Sequence, residues 1–284
     1  MEERVGPRAG IRLLRDPPFV VSLGVILFLT VVALAPGLFG AGDPFDCSLD
    51  RSLERPSLQH PFGFDFQGCD YYTLVLLGAR SSLAVGAVVV AGTALVGILV
   101  GSIAGLREGI FDALVGRMGD AVLAVPLILG GSLILSFIDS RSAIHVMWVL
   151  VVLGWPPMAR LVRAQVMRTK GEPYVEAARA LGVGDGRLLR VHLLPNVLWP
   201  VVVFAASYVA VAVTAEALLS FLGVGLELPA ISWGLMLAEA RFRILQSPHL
   251  LIPAAFLAAT VTAFVFFGEA LRRLLDPQES GAYR

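Results

Sequence analysis

Few side chains in this 284-residue chain are placed to do chemistry, and their pattern points away from catalysis. Two acids, Glu216 and Asp120, interrupt otherwise apolar stretches. A charge at a bilayer centre costs about 2.5 to 3.5 kcal/mol on insertion scales, so such an acid is expected to have a partner or a polar path. Asp120 stands beside Arg117, which predicts a local structural ion pair. His60, His145, His192 and His249 are scattered over separate segments without metal-ligand spacing. The only lysine, Lys170, follows Arg168-Thr169 and precedes Gly171-Glu172. The phosphate-cradling G-x-x-x-x-G-K-[ST] loop is therefore missing, and this chain has no P-loop with which to bind ATP. Gly182-x-Gly184-x-Gly186 follows a predicted helix rather than a strand and lacks the last spacing of a dinucleotide loop. Cys47 and Cys69 are the only cysteines; an oxidising exterior would permit a disulfide, and two free thiols are the alternative.

The elements that position these residues are membrane helices. Hydrophobic residues make up 57% of the chain and charged ones only 15%, which excludes an ordinary soluble domain. Charge is absent from 17–42, 81–106, 121–138, 142–159, 191–215 and 244–268, each near or above the ~18 to 20 residues that cross a hydrocarbon core. The expected class is all-α, with six transmembrane helices, because the alternation of a membrane barrel is missing. The third and fifth spans are the less clean ones, and the fifth continues past Glu216 to about Leu222. Pro126 and Pro156-Pro157 either kink their helices or serve packing.

With the N-terminus inside, inner segments hold sixteen of the twenty-two basic residues, so both termini are expected in the cytoplasm. The organisation reads as a cytoplasmic tail (1–16), a first span (17–42), an extracytoplasmic loop (43–79), a membrane core (80–277) and a second tail (278–284). Ala33-Leu34-Ala35 resembles a signal-peptidase site, but the preceding run exceeds a usual h-region of ~7 to 15 residues, and an uncleaved anchor is expected. The formal charge of zero gives no reason to expect nucleic acid as a partner.

The most informative stretch is the polar island 172–196. Pro173 just inside the start and Gly182 just past the end predict a short helix. Tyr174, Ala177, Ala178 and Leu181 fall on one face, while Glu176 and Arg179 point elsewhere. A second piece follows, with Asp185 as N-cap, Leu188, Leu189 and Leu193 as apolar face, and Pro195 as its stop. Glu-Ala-Ala, Gly182 and then His192-Leu193-Leu194-Pro195-Asn196 resemble the cytoplasmic coupling loop of bacterial ABC-importer permeases. The other reading of the first helix is a plain surface amphipathic helix between two spans.

Three further stretches carry the resemblance, which covers about 60–277. Gly63 to Asp70 followed by Gly78-Ala79-Arg80-Ser81-Ser82-Leu83 is similar to the approach to the core in the oligopeptide and dipeptide subgroup, with Phe64 in place of Thr and Cys69 in place of Arg. Glu216-Ala217-Leu218-Leu219-Ser220-Phe221-Leu222-Gly223 and the segment through Leu237 look like the fifth span and outer loop of that subgroup's second permease, where Trp233 is expected at the membrane interface. Gly268 to Pro277 matches the closing segment, with Arg273 where an acid is usual. The resemblance implies a permease subunit of an ATP-driven peptide importer in the bacterial inner membrane. Its implied partners are a second permease, two ABC ATPase subunits that bind ATP and Mg, an extracytoplasmic substrate-binding protein and membrane lipid. No cofactor, metal or catalytic residue is expected in this chain. The ATPase-coupling residues would be Tyr174, Glu176, Ala177, Ala178, Leu181, Gly182, Leu194 and Pro195, and Glu216 would line the translocation path or pair at the permease interface. Related cargoes are nickel, glutathione or another small solute. A secondary transporter is the reading from another class, and a membrane enzyme a more distant one.

Overall fold

A computed structural model describes residues 16–107 and 109–275. Among them there is no β-strand, only isolated bridges at Cys47–Cys69 and Phe64–Asp70. The helices are α1 (Pro17–Leu34), α2 (Tyr71–Leu106), α3 (Ile110–Leu123), α4 (Leu127–Ser136), α5 (Ala143–Lys170), α6 (Pro173–Ala180), α7 (Asp185–Leu188), α8 (Leu194–Phe221), α9 (Trp233–Ala240) and α10 (Ile252–Leu275). Five helical segments are long and apolar enough to cross a membrane, and α3 with α4 makes a sixth, bent by 82°. This is an integral membrane protein.

Local sequence explains where the spans begin and break. α1 stops at Leu34 rather than running to residue 42, because Pro36 disfavours helical geometry at Ala35, which sits at φ −136° and ψ 61°. α2 starts at Asp70, whose carboxylate accepts the Thr73 amide at 3.0 Å and the Thr73 hydroxyl at 2.7 Å. The third span is displaced from the charge-free run 121–138. Pro126 bars a helical Val125 and has no amide to donate, so the span breaks there. Its first half, α3, carries Asp112, Arg117 and Asp120, so it falls outside the uncharged run. Pro156 and Pro157 lie inside the continuous α5.

α2 and α5 form the spine of the bundle. Gly97, Gly101 and Gly105 line one stripe of α2 and face Met158, Ala159, Val162 and Val166 of α5. A Cβ added at Gly97 would lie 2.5 Å from the Met158 Cγ, so the two backbones approach as only small residues allow. Around this seam, one apolar cluster joins α2, α4, α5 and α8 through Val89, Leu135, Leu150 and Leu219. A second joins α1, α2, α9 and α10 around Trp233, and a third sits at the end that carries 172–196.

The two ends differ. At the far end, the segment between α1 and α2 folds onto the segment before α10: the Tyr71 hydroxyl donates to Leu250 O at 3.0 Å, and His249 Nε2 lies 3.0 Å from Phe64 O. Cys47 and Cys69 are joined there, with their Cα atoms 4.2 Å apart. Asp65 shapes the same loop by accepting the amides of Gln67 and Cys69, each at 2.8 Å. Burial pushes its carboxyl above the usual range, against those amide bonds. Trp233 does not turn outward as an interfacial anchor would; it is fully buried, and its indole donates to Val75 O at 3.0 Å. An indole with an internal acceptor has no need of the headgroup region.

Candidate coupling site

The near end carries the predicted short helix. α6 has Pro173 in its first turn after an extended Glu172. Its C-terminal end closes through a Schellman motif: the Gly182 amide donates to Arg179 O at 3.0 Å and the Val183 amide to Ala178 O at 3.1 Å. Gly182 stands at φ +83° with open space around its Cα, so glycine is required there by backbone conformation rather than by crowding.

The helix is clamped by a residue that the four-residue face did not include. Val175 is 1% exposed and packs with Met158, Val162 and Val166 of α5, Leu188, Leu193 of the π-turn Leu189–Leu193, and Val197 and Val201 of α8. Ala178 and Val183 pack against the same cluster. Val175 and Ala178 at i and i+3 were the signal for this inner stripe. Tyr174, Glu176, Ala177 and Leu181 are exposed, Leu181 at 86%, and with Gly182 they form the outward surface. Ala178 thus belongs to the anchoring side of the expected set.

The second piece departs from its expected capping. Gly184 is the N-cap, and Asp185 is the first residue of α7, where it lies 4.0 Å from Arg179. Pro195 is the second residue of α8 and starts that helix instead of stopping the one before it, since a first-turn proline loses no hydrogen bond. Leu194 is half-buried and Pro195 exposed at this junction. Asn196 ties the junction back to α6: its Nδ2 donates to His192 O at 2.6 Å and to the Tyr174 phenol at 3.2 Å. Burial and then the nearby Glu172 push the Tyr174 phenol above its ordinary value, so it stays neutral at this contact.

The two intramembrane acids are placed differently from each other. Asp120 pairs with Arg160 of α5, not with Arg117 one turn away. Glu216 is fully buried and accepts from Ser220 at 2.9 Å and from Ser82 of α2 at 3.3 Å. Each serine oxygen accepts in turn from the chain after α8, Ser220 from the Leu226 amide and Ser82 from the Trp233 amide. Glu216 therefore lies inside the fold, at the root of the returning segment 222–233, and none of its surface is open. Among the described residues no three His, Cys, Asp or Glu side chains are grouped to hold a metal ion.

The family model described as "Binding-protein-dependent transport system inner membrane component" matches residues 97–280. This chain belongs to that family. The permease is 33% identical over 260 residues to the oligopeptide transport system permease protein OppC of Bacillus subtilis (strain 168), covering 91% of this chain and 85% of that one. It is 37% identical over 263 residues to the glutathione transport system permease protein GsiD of Escherichia coli O157:H7, covering 92% and 86%. The dipeptide transport system permease protein DppC of Bacillus subtilis (strain 168) is 33% identical over 269 residues, covering 94% and 84%. Among solved structures, an amino acid ABC transporter with histidines shares the fold, with a TM-score of 0.53 and 16% identity over 73% of this chain and 95% of that one.

Proposed function

We propose that this permease is one of two membrane subunits of an ATP-driven importer for peptides, and that α6 is the part gripped by an ATPase subunit. The observation that carries the reading is the division of α6 into two faces. Val175 fixes the helix to α5 and α8, while Tyr174, Glu176, Ala177 and Leu181 remain open at the end of the bundle. A partner that moves this surface moves two membrane helices with it. Leu194 and Pro195 mark where that movement enters α8, and the Schellman turn at Gly182 holds the shape of the surface.

In this reading two ATPase subunits bind ATP with Mg, close, and carry α6 with them. The cavity shared with a second permease then opens outward to receive solute from a binding protein, and hydrolysis reverses the change. The near end and both termini are cytoplasmic, which accords with the basic residues gathered there. The chain's own contribution is transport rather than catalysis. Relatives named for oligopeptides and dipeptides support a peptide cargo, and the relative named for glutathione supports the alternative.

Purification of the tagged chain from its own membranes tests the reading. An ABC ATPase should co-elute, and proteoliposomes of the complex with its binding protein should accumulate labelled di- or oligopeptide when ATP is supplied. Reproducible absence of an ATPase would return the chain to the secondary-transporter class; accumulation of glutathione or nickel instead would reassign the cargo.

A further inference from the structure

α3 is attached to the bundle by charge. Of its fourteen residues only Gly119 is buried. None of its side chains belongs to the apolar clusters, and Ile110, Leu114 and Met118 are exposed. Asp112 receives a two-pronged contact from Arg163 of α5, with Nη2 to Oδ2 at 2.6 Å and Nε to Oδ1. Eight residues on, Asp120 receives Nη2 of Arg160. Between these two contacts, Gly119 lies against Pro156, close enough that an added Cβ would meet the Pro156 Cβ at 3.5 Å. Pro156, Arg160 and Arg163 fall at i, i+4 and i+7 and so share one face of α5.

Both ends of α3 are jointed. It begins after Gly109, at φ +96°, and ends at the 82° bend before α4. A rod jointed at both ends, with Gly119 against Pro156 as its one buried contact, is oriented mainly by its charged contacts. Those contacts sit on the part of α5 that also answers to α6. Val162 and Val166 pack against Val175, and only Gly171 and Glu172 separate the two helices. A bidentate arginine–carboxylate contact fixes orientation as well as distance, which suits it to transmit a rotation.

We propose that Asp112–Arg163 and Asp120–Arg160 form a clasp through which displacement of α6 and α5 is passed to the broken span α3–α4. Asp112, Arg163, Asp120 and Arg160 are positioning residues for transport, and the inference rests on the importer reading above. Its physical content is a moving element positioned more by four charges than by the apolar clusters.

Nitroxide labels placed at Gly116→Cys, in open space on α3, and at Leu99→Cys, exposed on α2, test it by pulsed distance measurement. The probe is ATP with vanadate, added to the purified complex containing the co-eluting ATPase. The label distance is expected to shift in the otherwise unchanged protein, to lose that shift in Asp112→Asn and in Arg163→Gln, and to regain it in the charge swap Asp112→Arg with Arg163→Asp. Arg160→Gln, at the more exposed contact, is the milder variant if a change at Asp112 prevents folding, and it should reduce the shift. A shift that persists in the single variants, a swap that stays silent, or an ATPase-containing complex with no shift at all overturns the clasp. A complex without an ATPase overturns the importer reading and the clasp with it, whereas a persisting shift removes the clasp alone.

Discussion

Gly182 occupies a conformation that side chains avoid, and nothing surrounds it to give another reason for its identity. Placing a Cβ in the left-handed region costs roughly 1 to 2 kcal/mol, a factor of about 5 to 30 in the population of the capped geometry. Gly182→Val should therefore lower solute accumulated per ATP hydrolysed in proteoliposomes by several-fold, with Gly182→Asn falling nearer the unchanged protein; equal coupling in both would show that the turn is not under this constraint. Glu216 makes the opposite kind of prediction. Its carboxylate gathers Ser82 and Ser220, and through them the Leu226 and Trp233 amides. Glu216→Gln keeps an amide able to meet both hydroxyls and should cost under about 1 kcal/mol, whereas Glu216→Ala leaves them unpaired around a cavity and should cost about 2 to 4 kcal/mol. Thermal unfolding in detergent separates the two variants. An alanine variant as stable as the original protein would deny the residue its holding role.

At the scale of elements, the far-end loop and α3 use different devices where few residues are buried. The loop is closed by the Cys47–Cys69 bond across 22 residues, which on the chain-entropy estimate stabilises it by about 3 kcal/mol. Reductant, or Cys69→Ser, should expose the 47–69 segment to proteolysis while the α2–α5 seam stays protected. If thiol labelling of unreduced protein modified both cysteines fully, the bond would be absent from the native chain. α3 has no such staple and relies on ion pairs. Its helix is not legible in the sequence as a span because its charges break the uncharged run, and those same charges attach it to α5. The short α6 was easy to find because proline, glycine and a 3.6-residue period all act within a few residues of each other.

Across the whole molecule, the Cys47–Cys69 loop and α6 lie at different ends of the bundle, and the orientation of the bundle in the membrane decides which of them an ATPase can reach. A thiol placed at Leu181→Cys should react with a membrane-impermeant maleimide only after the membrane is opened, and one at Leu58→Cys should react in intact cells. The reverse pattern would put α6 outside and remove any ATPase from reach. The native cysteines do not interfere, since they are bonded to each other.

The amino-acid order alone was enough to specify the membrane class, the approximate spans and the caps of α6, because each depends on hydrophobicity or on hydrogen bonds between near neighbours. Tertiary structure decided which side of α6 is anchored, that Trp233 turns inward to Val75, and that Glu216 meets Ser82 across 134 residues of chain. It also decided that Asp120 reaches Arg160 instead of Arg117. In each case the competing partners are alike in chemistry, and only the close approach of helices far apart in sequence determines which of them comes within hydrogen-bonding distance.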